Sequence, residues 1–195
     1  MKRYMKTMQS VIFCFIFAVF FLLPTIASAS SLLSIGNVWK YQNTQGSIVN
    51  IITRTVIGEA NIFGVPGIAV IEQSLGSDSE IILSMEVTGT VYTYEGNFNV
   101  APDFVSGPVG TKWSVDENSG IEQYEITAVE DVQVPAGLFQ GCYKVANSKI
   151  SKADGSVMSY DERWWHPGTG YVKLNMHIGQ ADQQQMVLTD YTISQ

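Results

Sequence analysis

The stretch Tyr171-Val172-Lys173-Leu174-Asn175-Met176-His177-Ile178 decides the fold. Val172, Leu174, Met176 and Ile178 alternate with Tyr171, Lys173, Asn175 and His177. In an extended chain, alternate side chains fall on opposite faces, so this period of two predicts a strand with one buried face. Similar stretches, rich in Val, Ile, Thr and Tyr, run through 47–57, 67–74, 79–88, 121–130, 141–150, 156–165 and 184–193. Those residue types suit a pleated, half-buried surface. Turn signals separate the stretches: Gly64-Val65-Pro66-Gly67, Gly76-Ser77-Asp78, Glu95-Gly96-Asn97, Glu117-Asn118-Ser119-Gly120, Asp154-Gly155 and Pro167-Gly168. Asp154-Gly155 between two strand patterns predicts a hairpin.

No helix-period segment of useful length lies between these strands. The pattern predicts an all-β fold of about ten strands, in one large antiparallel sheet curved into a half-barrel or barrel. Pro135-Ala136-Gly137-Leu138-Phe139 is expected to form one helical turn, and residues 97–110 a long loop. Gly36-Asn37-Val38-Trp39 and Gly110-Thr111-Lys112-Trp113 echo each other as G-x-x-W, each at the start of a strand. A turn glycine followed by an indole packed under the sheet accounts for both without invoking a repeat protein.

The N-terminus carries a different pattern. Lys2, Arg3 and Lys6 precede an apolar run from Val11 to Leu23, followed by the small-residue stretch Ala27-Ser28-Ala29. This order predicts a cleavable signal-peptide helix over residues 1–29 and a single β-rich exported domain over 30–195. The apolar run is short of the about 20 residues that span a bilayer as a helix. Cys14 lies inside that run and not at a cleavage site, so no lipid attachment is expected. With residues 1–29 gone, the remaining chain has eight basic residues against 18 acidic ones, a net charge of −10. That balance argues against nucleic acid, which needs a basic patch, and against electrostatic docking on anionic lipid. Cys142 is then the one cysteine left, which rules out an internal disulfide and thiolate-rich metal clusters.

Two phrases in the second half belong together. Val134-Pro135-Ala136-Gly137-Leu138-Phe139-Gln140-Gly141-Cys142-Tyr143-Lys144-Val145 is followed by Trp164-Trp165-His166-Pro167-Gly168-Thr169-Gly170-Tyr171-Val172-Lys173. The pair resembles the V-P-A-G-x-F-x-x-C and W-x-x-P-G-x-G-x-V-K segments of uncharacterised exported bacterial β-proteins. These are distantly similar to the half-barrel lipoprotein carriers of the periplasm. The resemblance implies the fold of residues 34–192, an exported periplasmic or extracellular location and a carrier-like concavity, but no activity. The same residues also read as turn makers, since Gly137, Gly141, Gly168 and Gly170 permit positive φ.

Catalytic chemistry finds little purchase. Cys142 and His166, with Asp161 or Glu162 as orienter, have the types needed for nucleophilic catalysis, but Cys142 sits in an apolar strand and reads as a small core residue. His166, His177, Asp161, Glu162 and Asp190 have no metal-ligand spacing, and no cofactor is expected. Glu117 with Glu122, or Asp161-Glu162, are carboxylate neighbours expected by chance among 18 acids. The aromatic residues say more. Trp164 and Trp165 are adjacent on a strand and must face opposite sides, with Tyr160, His166 and Tyr171 nearby. These five are the candidate ligand-facing residues. The expected function is a non-enzymatic envelope or secreted protein that binds an apolar small molecule or an envelope protein in the concavity of its sheet. The alternatives are a hydrolase using Cys142 and His166 or paired carboxylates, and a structural or assembly subunit of the cell surface.

Overall fold

The computed structural model describes residues 32, 34–62, 64–74, 79–87, 90–94, 100–117 and 120–194; the expected signal segment 1–29 lies outside the described residues. The described residues form twelve strands: β1 (Val38–Gln45), β2 (Ile48–Ile62), β3 (Val65–Ser74), β4 (Glu80–Val87), β5 (Thr90–Tyr94), β6 (Val100–Val105), β7 (Lys112–Asp116), β8 (Gly120–Val134), β9 (Gly137–Ser151), β10 (Val157–His166), β11 (Gly170–Met176) and β12 (Gln184–Thr192). All belong to one sheet in the order β6-β5-β4-β3-β2-β1-β12-β11-β10-β9-β8-β7. The all-β fold read from the alternation is therefore the fold observed, as an antiparallel barrel that is nearly closed.

Except at β6 and β7, strands adjacent in the chain pair antiparallel, and β1 also pairs with β12, so the two ends of the described chain meet in mid-sheet. The two free edges, β6 and β7, follow each other in sequence. They close on one another through the Trp113 indole, whose Nε1 donates to the Pro102 carbonyl at 3.2 Å. Pro102 offers no N–H on β6 and Lys112 places a charge on β7, both of which blunt an exposed edge.

The G-x-x-W echo is a structural equivalence. Gly36 (φ 90°) and Gly110 (φ 94°) both hold a left-handed conformation. Gly36 N–H donates to Val56 O at 2.9 Å, and Val56 N–H to Asn37 O at 2.9 Å. Gly110 N–H likewise donates to Ile126 O at 2.8 Å, and Ile126 N–H to Thr111 O at 2.9 Å. In each case the tryptophan pairs with the residue two before that partner, Trp39 with Arg54 and Trp113 with Tyr124. The barrel is thus two six-stranded meanders, each opened by the same turn.

Three expectations need correction. Pro135 and Ala136 form the β8–β9 hairpin turn, and Gly137 to Phe139 begin β9, so there is no helical turn. Ala136 N–H donates to Leu188 O at 3.2 Å, a tie to β12 that local sequence cannot reveal. The expected loop 97–110 contains β6. And β11 ends at Met176: His177 takes φ 53°, and its N–H donates to the Asp161 carboxylate at 2.9 Å. It is therefore a turn residue and not part of the polar face of the strand.

Val56, Ile126, Cys142, Val145, Val172 and Leu188 are almost wholly buried. Burying an aliphatic side chain of this size contributes about 1.5–3 kcal/mol relative to exposure. They belong to one cluster that also takes in the aromatic residues described next.

Candidate functional site

The interior holds a cavity of about 340 Å³. Ligand sites for small molecules run from about 300 to 1,000 Å³ and are mostly apolar with a few placed polar groups. Pairing across the sheet sets its walls. Trp39 lies opposite Arg54, Val56 opposite Val70, Val70 opposite Ile82, and Ile68 opposite Ser84. Directly paired residues share a face, so these strands present one continuous inner surface. From the other side, Arg163 lies opposite Leu174, and Trp165 opposite Tyr171.

The aromatic wall is braced by hydrogen bonds across the interior. Trp39 Nε1 donates to Thr169 O at 2.7 Å, and the Tyr41 hydroxyl donates to Tyr171 O at 3.1 Å. Both bonds run from β1 to the start of β11 and its preceding turn. Trp165 stacks on Phe104 with ring centres 4.7 Å apart and meets Tyr171 edge-on at 4.8 Å. Gly170 (φ 87°) brings its backbone against the Trp165 indole: a Cβ there would sit 3.8 Å from the ring.

Two guanidiniums interrupt the apolar lining, those of Arg54 and Arg163. Arg54 Nε donates to Glu72 Oε2 at 2.6 Å, and its Cζ lies 5.7 Å from the centre of the Tyr41 ring. Arg163 approaches Asp161 at 3.7 Å, with its Cζ 5.4 Å from the Tyr124 ring centre. Each is thus held by a carboxylate and an aromatic face.

The five sequence candidates divide. Trp165 and Tyr171 line the cavity. Trp164 is buried away from it: Nε1 donates to Glu130 Oε1 at 2.5 Å, and the Lys144 and Lys173 ammonium groups lie 5.2 and 4.6 Å from its ring centre. Tyr160 is half-buried, with its hydroxyl 3.4 Å from Glu162 Oε1; burial, then the Glu162 charge, raises its pKa. His166 covers its own turn, with Nδ1 3.1 Å from the Thr169 hydroxyl and its ring against Phe139; burial lowers its pKa. The residues that sequence reasoning missed are Trp39, Tyr41, Ser84 and the two arginines. The one signal for the arginines was a basic residue in mid-strand of an acidic chain.

The imagined catalytic set does not assemble. Cys142 is fully buried and its thiol donates to Phe139 O at 3.5 Å. Burial, then Asp131 and Glu130, pushes its pKa up to about 11, so the nucleophilic thiolate is suppressed. Asp161 is engaged by His177 N–H and Arg163, and Glu162 by Lys144 at 2.7 Å. Glu117 and Glu122 both face Lys149. His177 pairs with Asp182 at 2.7 Å, and Asp190 with Lys40 at 2.8 Å.

No family model matches the chain, and no curated protein matches it. Solved structures do. One is a protein of Parabacteroides distasonis provisionally assigned as a lipoprotein, at 14% identity and a TM-score of 0.50. Another is a protein of Bacteroides fragilis provisionally assigned as exported, with a YmcC-like fold, at 13% identity and a TM-score of 0.52. In both cases the match covers 82% of this chain and 96% of the other. What is shared at this identity is the fold. The likeness agrees with the coarse part of the sequence resemblance, that of exported bacterial β-proteins.

Proposed function

We propose that this chain is an exported, non-enzymatic binding protein that carries an apolar ligand inside its barrel. One observation carries the reading: the cavity of about 340 Å³ on the inner face of the sheet, walled mainly by aromatic and aliphatic side chains with a few polar groups among them. Export is supported by the order of charges, apolar run and small residues over 1–29, and by the exported and lipoprotein assignments of proteins with this fold. Cleavage after Ala29 and release to the periplasm or the medium belong to the same proposal.

The neutral fluorophore N-phenyl-1-naphthylamine, titrated into residues 30–195, tests it. Saturable binding at one site is expected. Ser84 is buried and lines the cavity, so Ser84→Phe puts a ring into that space. It is expected to weaken binding by at least about tenfold, the equivalent of 1.4 kcal/mol, without loss of the β circular-dichroism spectrum. No saturable binding to the wild-type chain, or equal binding to both, would overturn the reading.

A further inference from the structure

Among the described residues, the charged side chains that line the cavity are both basic, in a molecule that is acidic. Residues 30–195 hold eight basic side chains against 18 acidic ones, yet two of the eight, Arg54 and Arg163, line this cavity, and no Asp or Glu is among the described residues that do. From this we infer that the ligand is a single-chain amphiphile with an anionic head, a carboxylate or a phosphate, seated on the guanidiniums of Arg54 and Arg163. The inference rests on the reading of the interior as a ligand site and names the class of ligand.

Three features support it. First, a cation in an apolar wall is costly to desolvate, and one that served only the sheet would be as well placed outside. Here the balancing acids, Glu72 and Asp161, stand on the same two faces but off the cavity wall. Second, the guanidinium is a planar fork of N–H donors that matches carboxylate and phosphate oxygens, where an ammonium offers only a point charge. The Arg54 and Arg163 guanidinium carbons lie over the Tyr41 and Tyr124 rings, 5.7 and 5.4 Å from their centres. Third, Arg163 is displaced along β10 from the ring group around Trp165. The Trp165, Tyr171 and Phe104 contacts form an aromatic group. Asp161 and Arg163 precede Trp165 on the same face of β10, next to Asn147 and Val145 of β9. A tail against that group with its head toward Arg163 fits this spacing.

The experiment displaces N-phenyl-1-naphthylamine from residues 30–195 with dodecanoate, dodecyl phosphate and dodecanol. These have the same tail and differ in the head. The anions are expected to displace it at concentrations at least about tenfold lower than dodecanol, as charge-assisted hydrogen bonds to a partly buried guanidinium would give. The better of the two anions identifies the head. In Arg54→Gln/Arg163→Gln the fluorophore should still bind, while the preference for an anion falls to within about twofold. If the double variant loses its β spectrum, Arg163→Gln alone decides, and is expected to lose most of the preference. Equal displacement by all three compounds, or a preference that survives the substitutions, overturns the inference and leaves the apolar-ligand reading standing. Failure of the wild-type chain to bind the fluorophore overturns that reading itself.

Discussion

Cys142 shows how burial sets chemistry at the scale of one residue. Its thiol keeps its proton up to about 11, against an ordinary value of 9.0. Between those values the unfolded chain releases a proton that the folded chain retains, so the contribution is complete below pH 9.0 and is lost as pH rises toward about 11. Folding stability should therefore decline over that alkaline window, and Cys142→Ala should remove this part of the decline in urea melts at stepped pH. Ellman's reagent at pH 8 should find no thiol in folded residues 30–195 and one in urea; prompt reaction in the fold would contradict this placement. The burial of Cys142 was legible from its apolar neighbours in C-Y-K-V-A. The placement of Arg54 was not. Ile51-Ile52 and Val56-Ile57 put apolar residues on both parities, and the register slips between Val56 and Gly58, so alternation cannot say which face looks inward. The sequence did require Trp164 and Trp165 to face opposite sides, but either could have been the inner one.

At the scale of elements, the β8–β9 hairpin organises the second half of the barrel. Its register shifts between Ile126 and Ala128 and again between Glu130 and Val132, two irregularities of the kind that bend a strand. Gly141 takes φ 69° beside the second shift, and its N–H donates to the Asp131 carboxylate at 3.0 Å. The bent hairpin carries Phe139 onto His166 and Tyr191, with ring centres 5.4 and 5.6 Å away, and ties its turn to β12. Phe139→Ala should cost about 3–5 kcal/mol, as large-to-small changes at buried aromatic positions do. Chemical denaturation measures it; a loss below about 1 kcal/mol would mean that the hairpin is not anchored there. The strands were visible in the sequence because half-burial writes a period of two. The tie that replaces the expected helical turn joins residues far apart in sequence, so Pro-Ala-Gly alone could not distinguish the two. β6 was hidden for a related reason: a short edge strand containing Pro102 lacks the alternating apolar signal of a strand buried on one face.

At the scale of the molecule, two meanders meet at two junctions that differ. At β12–β1 a full ladder runs from Val38–Thr192 to Gln45–Gln184. At β6–β7 no ladder is present among the described residues, and the Trp113 indole bridges the edges instead. Sequence predicted a curved sheet but left half-barrel and barrel open, because closure depends on the summed twist and bulges of twelve strands and not on any one segment. Near-closure bears on the proposed function: it surrounds the cavity lined by Trp39, Trp165, Arg54 and Arg163 on more sides than an open sheet would. The most direct test of that claim is an isotope-filtered NOE experiment on labelled residues 30–195 with unlabelled dodecanoate. Trp39 and Trp165 line the cavity, whereas Trp164 is buried away from it. Contacts from the dodecyl methylenes to the indoles of Trp39 and Trp165, with none to Trp164, are the predicted result. An absence of contacts to Trp39 and Trp165, or contacts centred on Trp164, would contradict the account.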